Sequence, residues 1–575
     1  MNRTLAILLL LLSVLFTACQ SDEPAIDDGG GKTDGKDLGY IAVSIVQPAS
    51  VGSRTGGTDN TEPNTGGFES GSEEENIAKD ATFFIFDDNG CKSVQTITLD
   101  KGDRTGETTP AVECIYKAVL VIDGIKENEK YGGKIFCVLN APADIKSIKQ
   151  SEIVMNSLME KIGAFGGTKG AFVMTNSAYK DNEAEVCGTT FTADDLKKSA
   201  AEAIKEPIKI YVERVVAKVI AKKGSPFNQG VGNPAEEGQT PDSLQNLTIK
   251  ITGIEIANIA DKAYLFKNLG GTWPNWSAVH DATNKRSYWE TTPSTEGSNA
   301  LGFTNQPYLK ITNNTTAPEN NVYTELTDLK LPGSYILPNT TSGKETAILV
   351  TAQLMKGEGD NAKPVNLVWI KGGYFLDYSA KSLVCTYLNS HNYAIKTVTT
   401  ENNTQNTEYR TINPGDLEWS QKNGDSPITV LKPYQACAQV KSGLTVVKYN
   451  FDTKTEISSE NNDQVKPVND FLAGTESYYA EVFKDGLCYY YKNIAQTPVL
   501  GENWANEEEK KDGVVRNHVY YLSLDGIKGI GTAVFDPTKD IIPERPNHDD
   551  LFYLAASVRV LKWKVVKQSI SFEGD

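Results

Sequence analysis

The fold class is decided by residues 81–90, which read Ala-Thr-Phe-Phe-Ile-Phe-Asp-Asp-Asn-Gly. Aromatic and β-branched side chains favour strands, and a cluster of Asp, Asn and Gly is typical of a tight turn. The stretch therefore predicts a short buried strand that ends in a turn. The same combination of a short apolar run and a polar, Gly-bearing interval recurs along the chain, which favours an all-β protein.

Further strand-like segments lie on both sides of this stretch. Residues 40–46 alternate, with Ile41, Val43 and Ile45 on one face, which predicts a strand with one buried side. The other predicted strands are 118–122, 134–139, 209–220, 247–256, 346–354, 365–370, 393–398, 486–491, 518–524 and 551–566. Because no regular alternation of strand and helix appears, antiparallel sandwiches are favoured over a doubly wound parallel sheet.

Helical patterns are few, and polar segments divide the chain. Residues 151–162 have helical spacing, and residues 192–204 begin with Thr192 and Asp195 at the spacing of a capping box. Polar, Gly-rich segments at 20–38 and at about 52–76 predict flexible connections. A Gly/Pro-rich segment at 222–241 predicts a domain boundary. We therefore expect an amino-terminal sandwich at residues 55–222 and a larger carboxy-terminal sandwich at residues 223–575.

The amino end has the layout of a secretory signal. Arg3 is followed by the apolar residues 5–16 and by the small residues Thr17 and Ala18, directly before Cys19. A cysteine at this place indicates a lipoprotein signal at residues 1–18, after which Cys19 becomes the acylated new amino terminus. A plain cleaved signal, in which Cys19 is incidental, is the alternative. Either way, we expect the protein to work outside the cytoplasm.

Composition and motifs argue against several functional classes. The formal net charge of −17 disfavours nucleic acid, whose phosphates require basic patches. The cysteines after Cys19 show neither a disulfide framework nor zinc spacing, although an oxidising compartment would allow some disulfides. Residues 29–33 and 230–235 imitate nucleotide-binding turns but lie in polar linkers. We expect no enzyme activity, no catalytic residues, no cofactor and no metal.

One aromatic pair supports a different class of function. Trp273 and Trp276 lie in a turn-prone loop, where they could stack on a sugar. Such residues more often cap the end of a sandwich. A surface glycan-binding lipoprotein is therefore kept as an alternative.

The carboxy end is an unusually long strand-like run, residues 557–572. Val558 and Val560 share one face, and Trp563 and Val565 share a face after a one-residue shift that a bulge would produce. A long apolar strand at a chain end promotes aggregation unless another strand pairs with it. It could be the final strand of its own sheet, or it could pair with another molecule.

Four motifs occur in the same order as in one known family. Residues 209–219, Lys-Ile-Tyr-Val-Glu-Arg-Val-Val-Ala-Lys-Val, resemble a strand of the bacterial fimbrillins of the FimA and Mfa type, the type V pilins. Residues 335–340, residues 515–520 and the carboxy end with Trp563 resemble further motifs of that family. The resemblance spans nearly the whole chain and is closest to the minor (Mfa-type) shaft subunit.

The resemblance implies a fold and a maturation route. The fold would consist of two antiparallel Greek-key (transthyretin/Ig-like) β-sandwich domains with a few short helices. The chain would be a lipoprotein precursor, carried to the outer membrane of a Gram-negative bacterium and cut by an arginine-specific surface protease. The matching bond is Arg54-Thr55, in a polar, Gly-bearing segment that a protease could thread into its cleft. An ordinary exposed arginine is the alternative.

Cleavage predicts a mechanism of assembly. Loss of residues 19–54 would remove the strand with Ile41, Val43 and Ile45 and open an apolar groove. The carboxy-terminal strand of another copy could fill that groove by strand addition. The candidate donor side chains are Val558, Val560, Trp563, Val565, Ile570 and Phe572. Because donor and acceptor are different surfaces, the contact is head-to-tail and builds a filament.

The predicted function is therefore that of a structural subunit of a cell-surface fimbrium that contributes to adhesion. Its expected partners are further copies of itself, accessory tip and anchor subunits, the protease, and host or bacterial surface receptors. An accessory tip or anchor fimbrillin is the nearest alternative.

Overall fold

The computed structural model describes most of the chain in separate segments. These are residues 38–47, 71–100, 114–123, 131–181, 184–230, 247–270, 280–297, 300–304, 324–325, 334–357, 359–421, 435–457, 463–495, 512–536 and 553–562. Strands dominate them and the helices are short, so the all-β prediction is confirmed. No helix in these segments is long and apolar enough to span a membrane.

The strands of four or more residues are numbered in chain order. They are Leu38–Gln47 (β1), Asp80–Asp87 (β2), Gly90–Thr98 (β3), Cys114–Asp123 (β4), Gly133–Leu139 (β5), Ile208–Arg214 (β6), Ala217–Gly230 (β7), Leu247–Ala257 (β8), Ala347–Lys356 (β9), Leu367–Ile370 (β10), Gly373–Leu376 (β11), Tyr393–Glu401 (β12), Thr404–Thr411 (β13), Leu417–Gln421 (β14), Gln435–Val440 (β15), Thr445–Asn450 (β16), Tyr479–Phe483 (β17), Leu487–Asn493 (β18), His518–Lys528 (β19) and Tyr553–Lys562 (β20).

Shorter elements complete the described part. Strands of two or three residues are Ile162–Gly163, Gly167–Thr168, Ala171–Phe172, Met174–Asn176, Tyr179–Asp181, Ala184–Val186, Thr189–Phe191, Ile259–Ala260, Ala263–Tyr264, His280–Asp281, Arg286–Ser287, Phe303–Thr304, Thr324–Glu325, Tyr335–Ile336, Lys363–Pro364, Thr455–Glu456 and Thr532–Ala533. The α-helices are Ala143–Lys146 (α1), Met155–Met159 (α2), Ala200–Ala203 (α3), Asp377–Ser390 (α4) and Val465–Gly474 (α5). The 3₁₀ helices are Glu73–Asn76, Gln150–Glu152, Ala193–Asp195, Gly359–Asn361, Pro414–Asp416, Glu476–Tyr478 and Lys484–Gly486.

The first sheet contains the stretch that predicted the fold. Strand β2 turns into β3 at Asp87–Gly90, where the Asn89 backbone N–H donates to Asp87 Oδ1 at 2.7 Å. The order across the sheet is β3, β2, β5, Met174–Asn176, β6, β1 and β4. The sheet curls so that its two edge strands, β3 and β4, meet. The side chain of Gln95 on β3 accepts from the Val121 backbone N–H on β4 and donates to the Val121 carbonyl oxygen. The enclosed core is rich in phenylalanine, including Phe83, Phe84, Phe136, Phe172 and Phe191.

Two further sheets enclose a second core. One has the order Thr324–Glu325, β7, β19 and β20, and the other β8, β9, β18 and Thr532–Ala533. Their buried side chains, such as Val219, Ile249, Val350, Tyr490 and Leu522, belong to one cluster. This arrangement is a β-sandwich, as the sequence predicted.

The chain segment between β9 and β18 forms most of a third core. It is formed by a sheet of order β11, β10, β17, β15 and β14 and a sheet that includes β13, β12 and β16, with helices α4 and α5 packed between strands. The chain therefore leaves the second sandwich after β9 and returns to it at β18. Residues 223–575, assigned to one sandwich from sequence, thus contribute to more than one core. The domain boundary at residue 222 stays a prediction.

Several local expectations were wrong. Residues 209–220 were predicted as one strand, but the pairing breaks at Val215–Val216, where the chain passes from β6 to β7. Strand β7 then continues to Gly230, through part of the segment interpreted as a linker. The helical patterns at 151–162 and 192–204 are only partly helical, because they contain the short helices α2 and α3 and 3₁₀ turns. The capping box of Thr192 and Asp195 is present. Two strand pairs, β1 with β6 and β7 with β19, are parallel.

Candidate functional site: the slot of strand β1

Strand β1 lies inside the first sheet. It pairs with β4 in the antiparallel direction along its whole length, from Leu38 opposite Asp123 to Gln47 opposite Cys114. On its other side, Val43 to Val46 pair in parallel with Ile208 to Tyr211 of β6. Because β1 has a neighbour on both sides, its removal would leave two rows of unpaired backbone groups facing each other. We call the space that β1 occupies the slot.

The inner face of β1 is apolar and buried. Ile41 and Ile45 are 0% exposed and Val43 is 1% exposed, and all three belong to the first core. Burying a side chain of this size stabilises a fold by about 1.5–3 kcal/mol. An empty slot would expose this part of the core to water, so the first sheet requires an occupant with large apolar side chains.

The outer face of β1 is also buried, contrary to the prediction of one buried side. Ala42 is 4% exposed and Ser44 is 8% exposed. Helix α3 lies against β1, and its residue Ala203 is 1% exposed. Alternation in the sequence suggested a solvent-facing side because Ala42 and Ser44 are small and weakly apolar. Helix α3, which contacts β1, comes from a segment more than a hundred residues later.

The residues that follow the slot are anchored by buried charges. Ser72 and Glu75 form a capping box, and the Glu75 carboxylate contacts Lys218 Nζ at 2.8 Å and accepts from the Tyr335 hydroxyl. Arg214 donates through Nε to the Glu75 carbonyl oxygen at 2.8 Å. Burial alone would raise the pKa of Glu75, but the ion pair with Lys218 and the hydrogen bonds lower this pKa to about 2. Glu75 is therefore ionised at neutral pH.

Arg214 extends this anchor to the second sandwich. Its Nη1 donates to Asn517 Oδ1 at 3.0 Å, and its Nη2 donates to Asn76 Oδ1. Asn517 directly precedes β19. The side chain of Arg214 is 2% exposed, so one buried guanidinium joins the start of the first domain to the second sandwich.

A second buried network lies beside the first. Arg516 Nε donates to Glu290 Oε2 at 2.7 Å, and its Nη1 and Nη2 donate to the carbonyl oxygens of Leu265 and Tyr264. Lys267 Nζ lies 2.9 Å from Glu213 Oε2. Burial raises the pKa of Glu213 and lowers the pKa of Lys267. The attraction between the two charges acts in the opposite direction on each pKa but is the smaller effect.

We call the two networks together the junction, namely Glu75, Glu213, Arg214, Lys218, Lys267, Glu290, Arg516 and Asn517. The sequence analysis quoted residues 209–219 and 515–520 only as family motifs. The structure brings the two motifs together and shows that Glu213, Arg214 and Arg516 are buried, whereas Lys218 is half-buried and Lys209 is exposed.

The carboxy-terminal strand pairs within its own chain as far as Lys562. Strand β20 is antiparallel to β19, with Val558 opposite Leu522 and Val560 opposite Tyr520. Among the described strands, β20 lies at the edge of this sheet and pairs with β19. The sequence had left open whether this strand pairs within its own chain or with another molecule. Residues 553–562 pair within their own chain. The remaining donor candidates, Trp563, Val565, Ile570 and Phe572, lie outside the described residues.

Other predicted site residues also lie outside the described part. These are the lipidation residue Cys19, the processing residues Arg54 and Thr55, and the glycan-loop residues Trp273 and Trp276. Within the described segments, no group of three or more His, Cys, Asp or Glu side chains is placed to hold a metal ion. The structure describes all seven cysteines after Cys19, and none of them is in a disulfide. Cys137 and Cys488 are fully buried.

The fold and the slot define a class of proteins, β-sandwich proteins in which the first described strand, β1, lies between two neighbours inside a sheet. Residues 481–569 match the family model described as "Major fimbrial subunit protein type IV, Fimbrillin, C-terminal". The matched region covers β18, β19 and β20 and therefore includes the carboxy-terminal strand. This match confirms the resemblance to fimbrillins and supports a structural role as a fimbrial subunit.

Solved structures of fimbrial proteins are similar at low identity. A fimbrilin (fimA) from Porphyromonas gingivalis has 11% identity, covers 93% of this chain and 99% of its own, and has a TM-score of 0.33. The tip fimbrial protein Mfa3 from the same organism has 12% identity, coverages of 91% and 99%, and a TM-score of 0.25. A fimbrial assembly protein from Parabacteroides distasonis has 14% identity, coverages of 57% and 85%, and a TM-score of 0.27. No curated protein matches by sequence. Since these TM-scores are below 0.5, the resemblance to fimbrillins rests on the match over residues 481–569.

Proposed function

We propose that this protein is a shaft subunit of a cell-surface fimbrium, made as an outer-membrane lipoprotein precursor and polymerised by exchange of strand β1. The observation that carries the proposal is the position of β1. It completes the first sheet between β4 and β6, and residues 48–70 connect it to the next described segment, which starts at residue 71. Arg54 lies in that connection.

In this proposal, an arginine-specific protease cuts after Arg54 and releases residues 19–54 together with the lipid on Cys19. The anchored segment at Ser72 to Asn76 keeps the new amino end in place, because its contacts to Arg214 and Lys218 do not involve β1. The vacated slot then binds the carboxy-terminal end of another copy, which regains both rows of backbone hydrogen bonds.

Because β20 pairs with β19 of the same chain, fewer of the candidate residues could pair with a neighbouring subunit. Val558 and Val560 pair with β19 in the same chain. The segment that reaches a neighbouring subunit would therefore begin at about Trp563, with Val565, Ile570 and Phe572 in it. Strand β20 would fix the start of the donor segment in its own subunit. The contact with the neighbouring subunit would be head-to-tail. Tip and anchor subunits would end the fibre, which would bind host or bacterial surface receptors.

The test is proteolysis of the purified full-length precursor with an arginine-specific protease. We expect cleavage after Arg54 and ladders on unheated gels, with fibres visible by electron microscopy. Arg54→Lys should stay monomeric because lysine keeps the charge but is not cut. Arg104→Lys is the matched control, since Arg104 also precedes Thr-Gly, and it should polymerise like the natural chain.

A second variant separates assembly from cleavage. Deletion of residues 567–575 should leave cleavage after Arg54 and folding intact but prevent ladders. If the cleaved natural chain remains a stable monomer, or if the deletion variant still polymerises, the proposal of a strand-exchanging shaft subunit is wrong.

A further inference from the structure

The slot restricts its occupant on two sides. The inner side accepts the large residues Ile41, Val43 and Ile45, whereas the outer side buries the small residues Ala42 and Ser44. Helix α3 contacts the strand. An occupant therefore needs large and small side chains in strict alternation, because successive residues of a strand point to opposite faces.

Helix α3 is itself built for close approach. It reads Ala-Ala-Glu-Ala, and its amino end is capped by Ser199, whose side chain accepts from the Glu202 N–H. Ala203 is buried, and Ala42 and Ser44 on the strand below carry side chains of one or two heavy atoms. Protein interiors are close-packed, so a long side chain at either position would force the helix away from the sheet.

Only one part of residues 563–575 has a sequence that satisfies this restriction. Within residues 563–575, Ser569 and Ser571 are the only small residues that stand two apart. The neighbouring residues Ile570 and Phe572 are large and apolar. By contrast, Trp563 and Val565 alternate with Lys564 and Val566, so a strand centred there would place bulky side chains under the helix.

We infer that the donor strand is selected by the helix that covers the slot, and that Ser569 and Ser571 take the places of Ala42 and Ser44. This inference rests on the proposed strand exchange and specifies its register. Ile570 and Phe572 then take the inner places of Val43 and Ile45. Gln568 takes the place of Ile41, at the end of the slot where only β4 pairs with the strand. Trp563 and Val565, named as donor side chains from sequence, lie outside this register.

The register is tested with full-length precursors that carry one bulky residue in the donor. Ser569→Trp and Ser571→Trp should each lower the yield of polymer after cleavage by about tenfold or more, since a loss of 1.4 kcal/mol of binding is tenfold. Lys564→Trp is the matched control for a bulky residue outside the register, and Ser571→Ala is the matched control for the loss of the hydroxyl. Both controls should polymerise like the natural chain.

Folding and processing are measured in the same samples. Each variant should show the thermal unfolding of the natural precursor and the same rate of cleavage after Arg54, because the substitutions lie outside the described core. A variant that misfolds is replaced by Ser571→Leu, which adds less volume and should give an intermediate yield.

The outcomes separate the register from the proposed function. If the natural chain polymerises and Ser571→Trp polymerises equally well, the register is wrong and strand exchange stands. The register is also wrong if Lys564→Trp blocks polymerisation while the serine variants do not. If the cleaved natural chain does not polymerise at all, strand exchange and the register fail together.

Discussion

The slot and the junction are both buried, but they are held by different interactions. Strand β1 is held in the slot by backbone hydrogen bonds and by the buried apolar or small side chains of residues 41–45. Any strand with the same alternation of side chains could make these interactions. The junction consists of ion pairs and hydrogen bonds with fixed partners, such as Arg516 with Glu290. Non-directional contacts allow one strand to replace another, whereas a buried charge without its partner is costly. One region is therefore suited to exchange and the other to permanence.

The largest expected effect comes from breaking the junction. Arg516→Met leaves Glu290 buried without its ion-pair partner, and such losses cost about 3–5 kcal/mol. Urea denaturation of the full-length precursor should show this decrease in the free energy of unfolding. Lys466→Met is the control, because the pair of Lys466 and Asp470 is exposed and should contribute at most about 1 kcal/mol. Equal effects for the two variants would show that the buried ion pair of the junction contributes no more to stability than an exposed one.

The anchor at Glu75 should make stability depend on pH. The pKa of Glu75 in the folded protein, about 2, lies below its usual value of 4.5. The stabilisation is therefore complete above about pH 4.5 and is lost as the pH falls toward 2. The difference corresponds to roughly 3 kcal/mol. Glu75→Gln should lower stability at pH 7 and flatten the acid side of a plot of unfolding free energy against pH.

The control for this profile is Glu74→Gln, since Glu74 is more exposed and its ion pair with Lys169 lies at the surface. A natural chain and a Glu75→Gln chain with parallel profiles between pH 5 and pH 2.5 would show that Glu75 does not anchor the segment electrostatically.

The slot should be the more tolerant region. Val43→Ala removes two buried methyl groups and should cost about 2 kcal/mol, whereas Val43→Ile adds one methylene group to a close-packed site and should cost about 1–3 kcal/mol. Val121→Ala on the neighbouring strand is the control, because Val121 is 39% exposed and should change stability by at most about 0.5 kcal/mol. Chemical denaturation of the precursor measures all three. If Val43→Ile were as damaging as Arg516→Met, the contrast between slot and junction would be lost.

Much of the fold could be predicted from the sequence, because strand signals are local. The stretch 81–90 forms the strand and the turn that its residues indicated, and the predicted strand at 247–256 appears as β8. Helix α4 was missed although Ala380, Val384 and Leu388 recur every four residues and are buried. That spacing was the available signal, and the neighbouring strand patterns obscured it.

The candidate site was only partly predictable. Alternation identified Ile41, Val43 and Ile45 as one buried face, since a strand repeats every two residues. It could not reveal the burial of Ala42 and Ser44, because the covering helix is distant in sequence. Neither could it reveal that Arg214 and Arg516 are buried, since charged residues are normally exposed unless they are paired.

The sequence by itself determined the all-β class, the apolar alternation of β1, the motifs of the fimbrillin resemblance and the alternating Ser569 and Ser571. Each of these depends on residues that are close in the chain. The tertiary structure alone decided that β1 lies between β4 and β6, that helix α3 covers it, and that two charged motifs meet at the junction. These features depend on contacts between residues far apart in the chain, which local patterns do not encode.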